Sequence, residues 1–190
     1  MLLIPASPEG RARARSGFTI VETAVAATVL VIGVMGLLAS VTAGDRLINS
    51  NRETRLAYTS AQAQRAEMQA LPIATVFTSY NSSNLDNPTG GIASPGANFT
   101  LHGLTACPTS PNGQGGSVQF PSMDGVTLRE SMVDAALGMP RDLDGDGVIS
   151  STALSKPPMV LPVVVTVRWM STSGPREISV RKMLFGSGTP

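Results

Sequence analysis

The sequence predicts an α+β chain in which a long N-terminal α-helix packs on a small antiparallel β-sheet with long loops. Three stretches predict it. Residues 23–44 carry no charge and are rich in Val, Ala and Leu. Residues 45–71 turn polar and contain no proline until Pro72. Residues 159–170 and 177–185 alternate and are β-branched, and the turn-forming run Ser-Thr-Ser-Gly-Pro-Arg separates them.

The first stretch is 22 residues long, and a helix of that length rises about 33 Å, enough to cross the hydrocarbon core of a bilayer. Arg11, Arg13 and Arg15 precede it and no basic cluster directly follows. That asymmetry predicts a single pass with the N-terminus on the cytoplasmic side and everything after Asp45 outside. In the second stretch Leu47, Thr54, Tyr58, Ala61, Met68 and Leu71 share one helical face, and Pro72 supplies a stop. One helix over residues 18–71 would run about 80 Å. Gly33, Gly36 and Gly44 leave open a bend into a membrane helix (18–44) and a separate amphipathic helix (45–71).

Residues 72–190 are expected to form the globular β domain. Turn formers crowd residues 78–117, with short strands at 98–104 and 117–120 between them. The third stretch forms a C-terminal hairpin over 159–185. It alternates through Val163, Val165, Val167 and Trp169, then through Ile178, Val180 and Lys182. Pro162 belongs at a strand start or edge, since it cannot donate to a ladder.

Composition excludes several functions. The chain has 190 residues, 42% apolar and 14% charged, with a formal charge of +1. That balance gives no electrostatic case for nucleic acid. One cysteine (Cys107) and one histidine (His102) exclude an intramolecular disulfide, a CxxC pair, a Cys-rich zinc site and a two-histidine metal site. There is no nucleophile elbow and no phosphate-binding P-loop motif, and His102 with Cys107 reads as a loop histidine beside a buried thiol. The chain is not expected to be an enzyme. Asn81-Ser82-Ser83 and Asn98-Phe99-Thr100 match the glycosylation triplet, a pattern common by chance.

Glu22, at the edge of the uncharged segment, is the most informative residue. A carboxylate buried there without a counter-charge costs a few kcal/mol. Cleavage after Gly17 would create a counter-charge, the new α-amine of Phe18. That amine could meet Glu22 within one helix, or meet the Glu22 of a neighbouring subunit. A basic leader ending in Gly17, then Phe18, then Glu22 as fifth residue of the mature chain, then an apolar helix, resembles the N-terminal methylation signal of the type IV prepilin family. The resemblance implies a pilin-like α+β fold and a leader over residues 1–17 cut by prepilin peptidase. It further implies a methylated Phe18 and a Glu22 that drives assembly with other pilin subunits at an inner-membrane platform. The chain would sit in the bacterial inner membrane before assembly and in a cell-surface or periplasmic filament after it. The run from Ile20 to Ser40 is similar to PilV-type minor pilins, and the single cysteine cannot close the C-terminal disulfide loop of major pilins. A type II secretion pseudopilin is the nearest variant of this reading. Pilus assembly, adhesion and twitching motility are the processes such a subunit serves. A secretory signal peptide cut after Ala43 is the competing reading, although it gives Glu22 no purpose. Losing the leader removes three arginines and one glutamate, which leaves eleven basic and twelve acidic side chains.

A second pattern lies at residues 142–150. Asp142, Asp144 and Asp146 occupy positions 1, 3 and 5 of an EF-hand-type loop, with Gly147 at 6, the Val148 carbonyl at 7 and Ser150 at 9. Position 12 is Ala153, so the bidentate glutamate is missing and water or another segment must complete a Ca²⁺ site. A plain Asp/Gly turn offset by Arg141 is the other reading. Ca²⁺ binding here would also suit a different class of protein, a membrane-anchored or secreted Ca²⁺-dependent binding or adhesion module.

Overall fold

The structure, a computed structural model, describes residues 17–83, 85–86, 95–154 and 156–186, with only the backbone at Ala136. The leader expected over residues 1–17 therefore lies, apart from Gly17, outside the described residues. The chain divides into two compact units, one ending at Asp45 and one beginning at Arg46.

Helix α1 spans Ile20–Gln69, 50 residues. In the first unit every described residue is exposed, including Val29, Leu30, Ile32, Leu37 and Leu38. This part of the chain is apolar and long enough to cross a membrane.

In the second unit α1 ends in a tightened turn, where the Leu71 N–H donates to the Met68 carbonyl at 3.2 Å. Pro72 then opens a second helix, α2 (Ile73–Tyr80), whose last three residues fall in the stretch expected to be loop. Proline fits this position because a helix start leaves its first N–H groups unpaired in any case. Phe77 of α2 meets Phe120 edge-on, with ring centroids 5.3 Å apart.

The sheet has four antiparallel strands in sequential order: β1 (Asn98–Phe99), β2 (Gly116–Gln119), β3 (Val160–Ser171) and β4 (Gly174–Phe185). The two short strands fall inside or beside the expected pieces. The hairpin fills the expected span, with a shorter turn and a longer second strand than expected. Ser171 pairs with Gly174, so the turn is Thr172-Ser173 alone, with Gly174 at φ +116°, where a β-carbon would be strained. From that pair outward, alternate β3 residues turn their N–H away from β4; those of Arg168 and Met170 donate to Gly115 and Thr105 on the other side. Pro162 and Pro175 fall on the same alternation, so neither removes a β3–β4 hydrogen bond. Pro162 also lies beyond Val164, the last residue paired with β2.

The buried helix face is partly the expected one, sharing Ala61 and Met68 with it. Ala57, Ala61, Gln64 and Met68 are buried, whereas Leu47 and Tyr58 are 64% and 53% exposed. Small residues carry the contact, because alanine lets the helix backbone approach the sheet closely. The expected stripe departs from the buried one at Leu47, Thr54, Tyr58 and Leu71, which are exposed. Ala57, Ala61 and Met68 join Leu161, Val163, Val165, Val167 and Trp169 in the main core. The Trp169 indole N–H donates to Glu53 at 3.3 Å and Arg176 donates to Ser50 at 2.8 Å, which ties the hairpin to α1.

The opposite face of β3 is covered too. Val164 packs with Leu137, Met139 and Leu143 in a second cluster, and Thr166 is 4% exposed. Strand β3 is thus buried on both faces from Leu161 to Val167, which explains why its valines run consecutively. The segment that covers this second face leads directly into the acidic loop.

Candidate functional site

The acidic loop is anchored at its base by apolar packing and backbone bonds. Leu143 is fully buried, and its carbonyl accepts the N–H groups of Met159 (2.7 Å) and Val160 (3.1 Å) where β3 begins. Beyond it the chain bends sharply at Gly145 (φ +75°) and Gly147 (φ +84°), both in the left-handed region that glycine adopts without strain.

Within the loop the carboxylates accept backbone N–H groups. Asp142 takes Gly145 at 2.6 Å and Gly147 at 2.9 Å. Asp144 takes Asp146 at 3.1 Å, and Asp146 takes Val148 at 2.8 Å. These N–H groups, with Gly147's foremost, hold the Asp142 carboxyl below the usual carboxylate range.

The residue that sequence reasoning missed is Glu130. It is 1% exposed, and its two oxygens face the loop from outside. Oε1 accepts the N–H groups of Leu143 (2.7 Å) and Asp144 (3.3 Å), while Oε2 accepts that of Ser150 (2.8 Å). Backbone bonds from Arg141 to Glu130 and from Ser131 to Ser150 hold the two segments together. Ligand oxygens of Glu130, Asp142 and Asp144 lie within 4.8 Å of one another, a grouping that could hold a metal ion. Glu130 thus brings a third carboxylate to the loop from outside it, and Oε2 keeps a lone pair after its one bond, to Ser150.

The other expected ligands sit differently. Asp146 is exposed and outside this group. Val148 is 62% exposed, and the Ser150 hydroxyl contacts that of Thr152 at 2.8 Å. Only one of the sequence-expected residues' side chains is buried, that of Asp144. Signals for Glu130 in the sequence were absent, since nothing local links it to a loop twelve positions later.

At the other end of the chain, Gly17 and Phe18 precede α1 and are exposed, Phe18 at 83%. Thr19 caps the helix. Its hydroxyl accepts the Glu22 N–H at 3.2 Å and its carbonyl accepts the Thr23 N–H at 3.1 Å. Thr19 and Glu22 have the spacing of a capping box, a signal present in the sequence and not used. Glu22 thus lies in the first turn of α1, where a negative charge favours the helix dipole.

No protein-family model, curated protein or solved structure matches the chain. Function rests on the chain's own residues.

The remaining sequence signals sort by burial. Cys107 is buried and His102 exposed. Asn81 of the first glycosylation triplet is 2% exposed; its amide donates to Asp86 at 2.6 Å and its carbonyl oxygen accepts the Ser83 N–H, so that triplet is closed. Asn98 of the second is half-buried in β1.

Proposed function

We propose that this chain is a structural subunit of a type IV pilus or related filament, of the minor-pilin kind. The observation that carries the reading is a single one: helix α1 begins two residues after Phe18, holds Glu22 in its first turn, and then presents 22 uncharged, exposed residues. A helix of that kind suits storage in a membrane and later burial among copies of itself. In this reading prepilin peptidase cuts after Gly17, Phe18 becomes the methylated terminus, and Glu22 pairs with the amine of a neighbouring subunit. The inner membrane holds the chain, N-terminus inside, until the assembly platform extracts it. The resemblance supplies the chemistry, and the position of Glu22 in the helix supports it. A type II secretion pseudopilin would use the same parts, and the filament with which the protein co-purifies distinguishes the two.

The acidic group belongs to this proposal as a Ca²⁺ site held by Glu130, Asp142 and Asp144. Carboxylate and carbonyl oxygens are the ligands hard cations take. It also supports the second reading, a Ca²⁺-dependent binding or adhesion module in which the N-terminal helix is only an anchor or signal.

Intact mass of the mature protein separates them. A chain that begins at a methylated Phe18 and co-purifies with filaments supports the pilin reading. One that begins at Gly44 overturns it.

A further inference from the structure

The turn at Ser110–Gln114 carries a chemistry that neither proposal uses. Asn112-Gly113 is the one Asn-Gly step in the sequence. It forms the apex of a short 3-10 turn whose three residues, Pro111 to Gly113, are all exposed. Asn112 sits at φ 54°, ψ 22°, the one non-glycine residue with positive φ among those described. Asparagine tolerates this conformation better than most residues. No hydrogen bond engages its side-chain amide among the described residues, whereas most Asn and Asp side chains in these loops are held.

We propose that Asn112 is a site of spontaneous deamidation. The Gly113 backbone nitrogen, deprotonated by hydroxide, attacks Cγ of Asn112. The new N–C bond closes a five-membered imide, the Cγ–Nδ2 bond breaks, and ammonia leaves with the proton. Water then opens the imide at either carbonyl, giving aspartate or isoaspartate. Nothing is oxidised or reduced. Glycine at the following position matters because no side chain obstructs the nitrogen's approach to Cγ.

The structure chooses this step over its competitors. Three Asp-Gly steps can pass through the same imide: Asp124-Gly125, Asp144-Gly145 and Asp146-Gly147. In the acidic loop the attacking nitrogens themselves are held, since the N–H groups of Gly145 and Gly147 both donate to Asp142. Asp124 is held as a carboxylate, a poor electrophile, by Ser122, Val126 and Thr127. Asn81, before Ser82, is buried with both ends of its amide bonded. At Gly113 the restraint is one 3.2 Å bond to the Ser110 carbonyl, in a turn of exposed residues. Such a surface turn opens locally without global unfolding.

The test is peptide mapping by mass spectrometry of the full-length chain in detergent, aged at mildly alkaline pH, beside the same chain aged in denaturant. The expected result is a one-dalton gain and isoaspartate at Asn112 ahead of every other Asn or Asp. The native rate should fall within about tenfold of the denatured rate, the slowing one surface hydrogen bond imposes. Conversion only in denaturant, or isoaspartate first at Asp144 or Asp146, overturns the proposal. Asn112→Gln, with its longer side chain, should abolish the gain and leave the fold unchanged; a gain that persists in that peptide overturns it as well.

Discussion

Replacing Glu130 by glutamine sets two opposed terms against each other. The carboxylate accepts three backbone N–H groups, and hydrogen bonds to a charged acceptor contribute about 1.5–3 kcal/mol each, so about 5–9 kcal/mol in all. Against this, Glu130 faces Asp142 and Asp144 within 4.8 Å, and each like-charge pair repels by about 3 kcal/mol at an effective dielectric of about 20. Glutamine relieves the repulsion but keeps an acceptor on one side only, which strands an N–H at Leu143 or at Ser150. Asp142 is half-exposed, so solvent weakens its share of the repulsion, and the hydrogen bonds win by a small margin. In chelator the E130Q chain should be less stable by about 1–2 kcal/mol, a Tm fall of about 2–8 °C. Calcium changes the comparison. A cation bound at a hundred times its Kd stabilises the native chain by about 2.7 kcal/mol, or about 5–10 °C, and the variant should lose nearly all of that rise. Asp146→Asn should retain it, because Asp146 lies outside the group. Trp169, the single tryptophan and 1% exposed, reports unfolding by fluorescence in detergent-solubilised full-length protein. A wild-type Tm that ignores calcium refutes the cation site. An E130Q chain more stable than wild type in chelator refutes the hydrogen-bond argument.

Three further outcomes are expected. Glu22→Ala should insert into the membrane normally and cost the helix only about 0.3–1 kcal/mol of dipole interaction, while its incorporation into filaments, followed by shear and immunoblot, is lost; wild-type incorporation would overturn the assembly role. Ala61→Leu adds about three carbon atoms at a fully buried helix–sheet contact and should cost about 1–3 kcal/mol by thermal melting, whereas Tyr58→Ala on the exposed face should stay within about 0.5 kcal/mol. The Tyr80 phenol is pushed up to about 12, by burial first and then by the charge of Glu67. The fold holds it neutral, so its contribution is complete below the ordinary phenol range and is lost as pH rises through about 12; in a Tyr58→Phe background, phenolate absorbance should appear together with loss of the fold, and a phenolate formed while the fold persists near pH 10 would contradict the burial argument.

The long helix, its start and the C-terminal hairpin were legible because each is written in local pattern. Twenty-two uncharged residues, a proline stop and alternating valines need no knowledge of the rest of the chain. The helix face was only partly legible: the stripe caught Ala61 and Met68, whereas Ala57 and Gln64 are buried without large apolar side chains to mark them. Helix α2 was hidden by the turn formers that follow it, although Pro72 marks its start as clearly as it marks the end of α1. The second buried face of β3 was not legible, because it is covered by Leu137, Met139 and Leu143, which pack with Val164 from a distant stretch of chain.

The acidic loop shows why the same method reads half a site. Positions 1 and 3 of the acidic loop, Asp142 and Asp144, come together through local backbone geometry, so their spacing survives in the sequence. The closing carboxylate has no such constraint: any segment that reaches the open side of the loop can supply it. Here that segment is fixed by Leu143, whose burial against β3 holds the loop base beside residues 130 and 131. Apolar packing on the second face of the sheet therefore decides where Glu130 meets Asp142 and Asp144. It follows that Leu143→Ala should weaken calcium stabilisation as well as the fold, although Leu143 offers the ion no side-chain ligand. The loss of stability alone should be about 2–5 kcal/mol. If calcium raised the Tm of that variant by as much as it raises wild type, the coupling between the second core and the acidic group would be disproved.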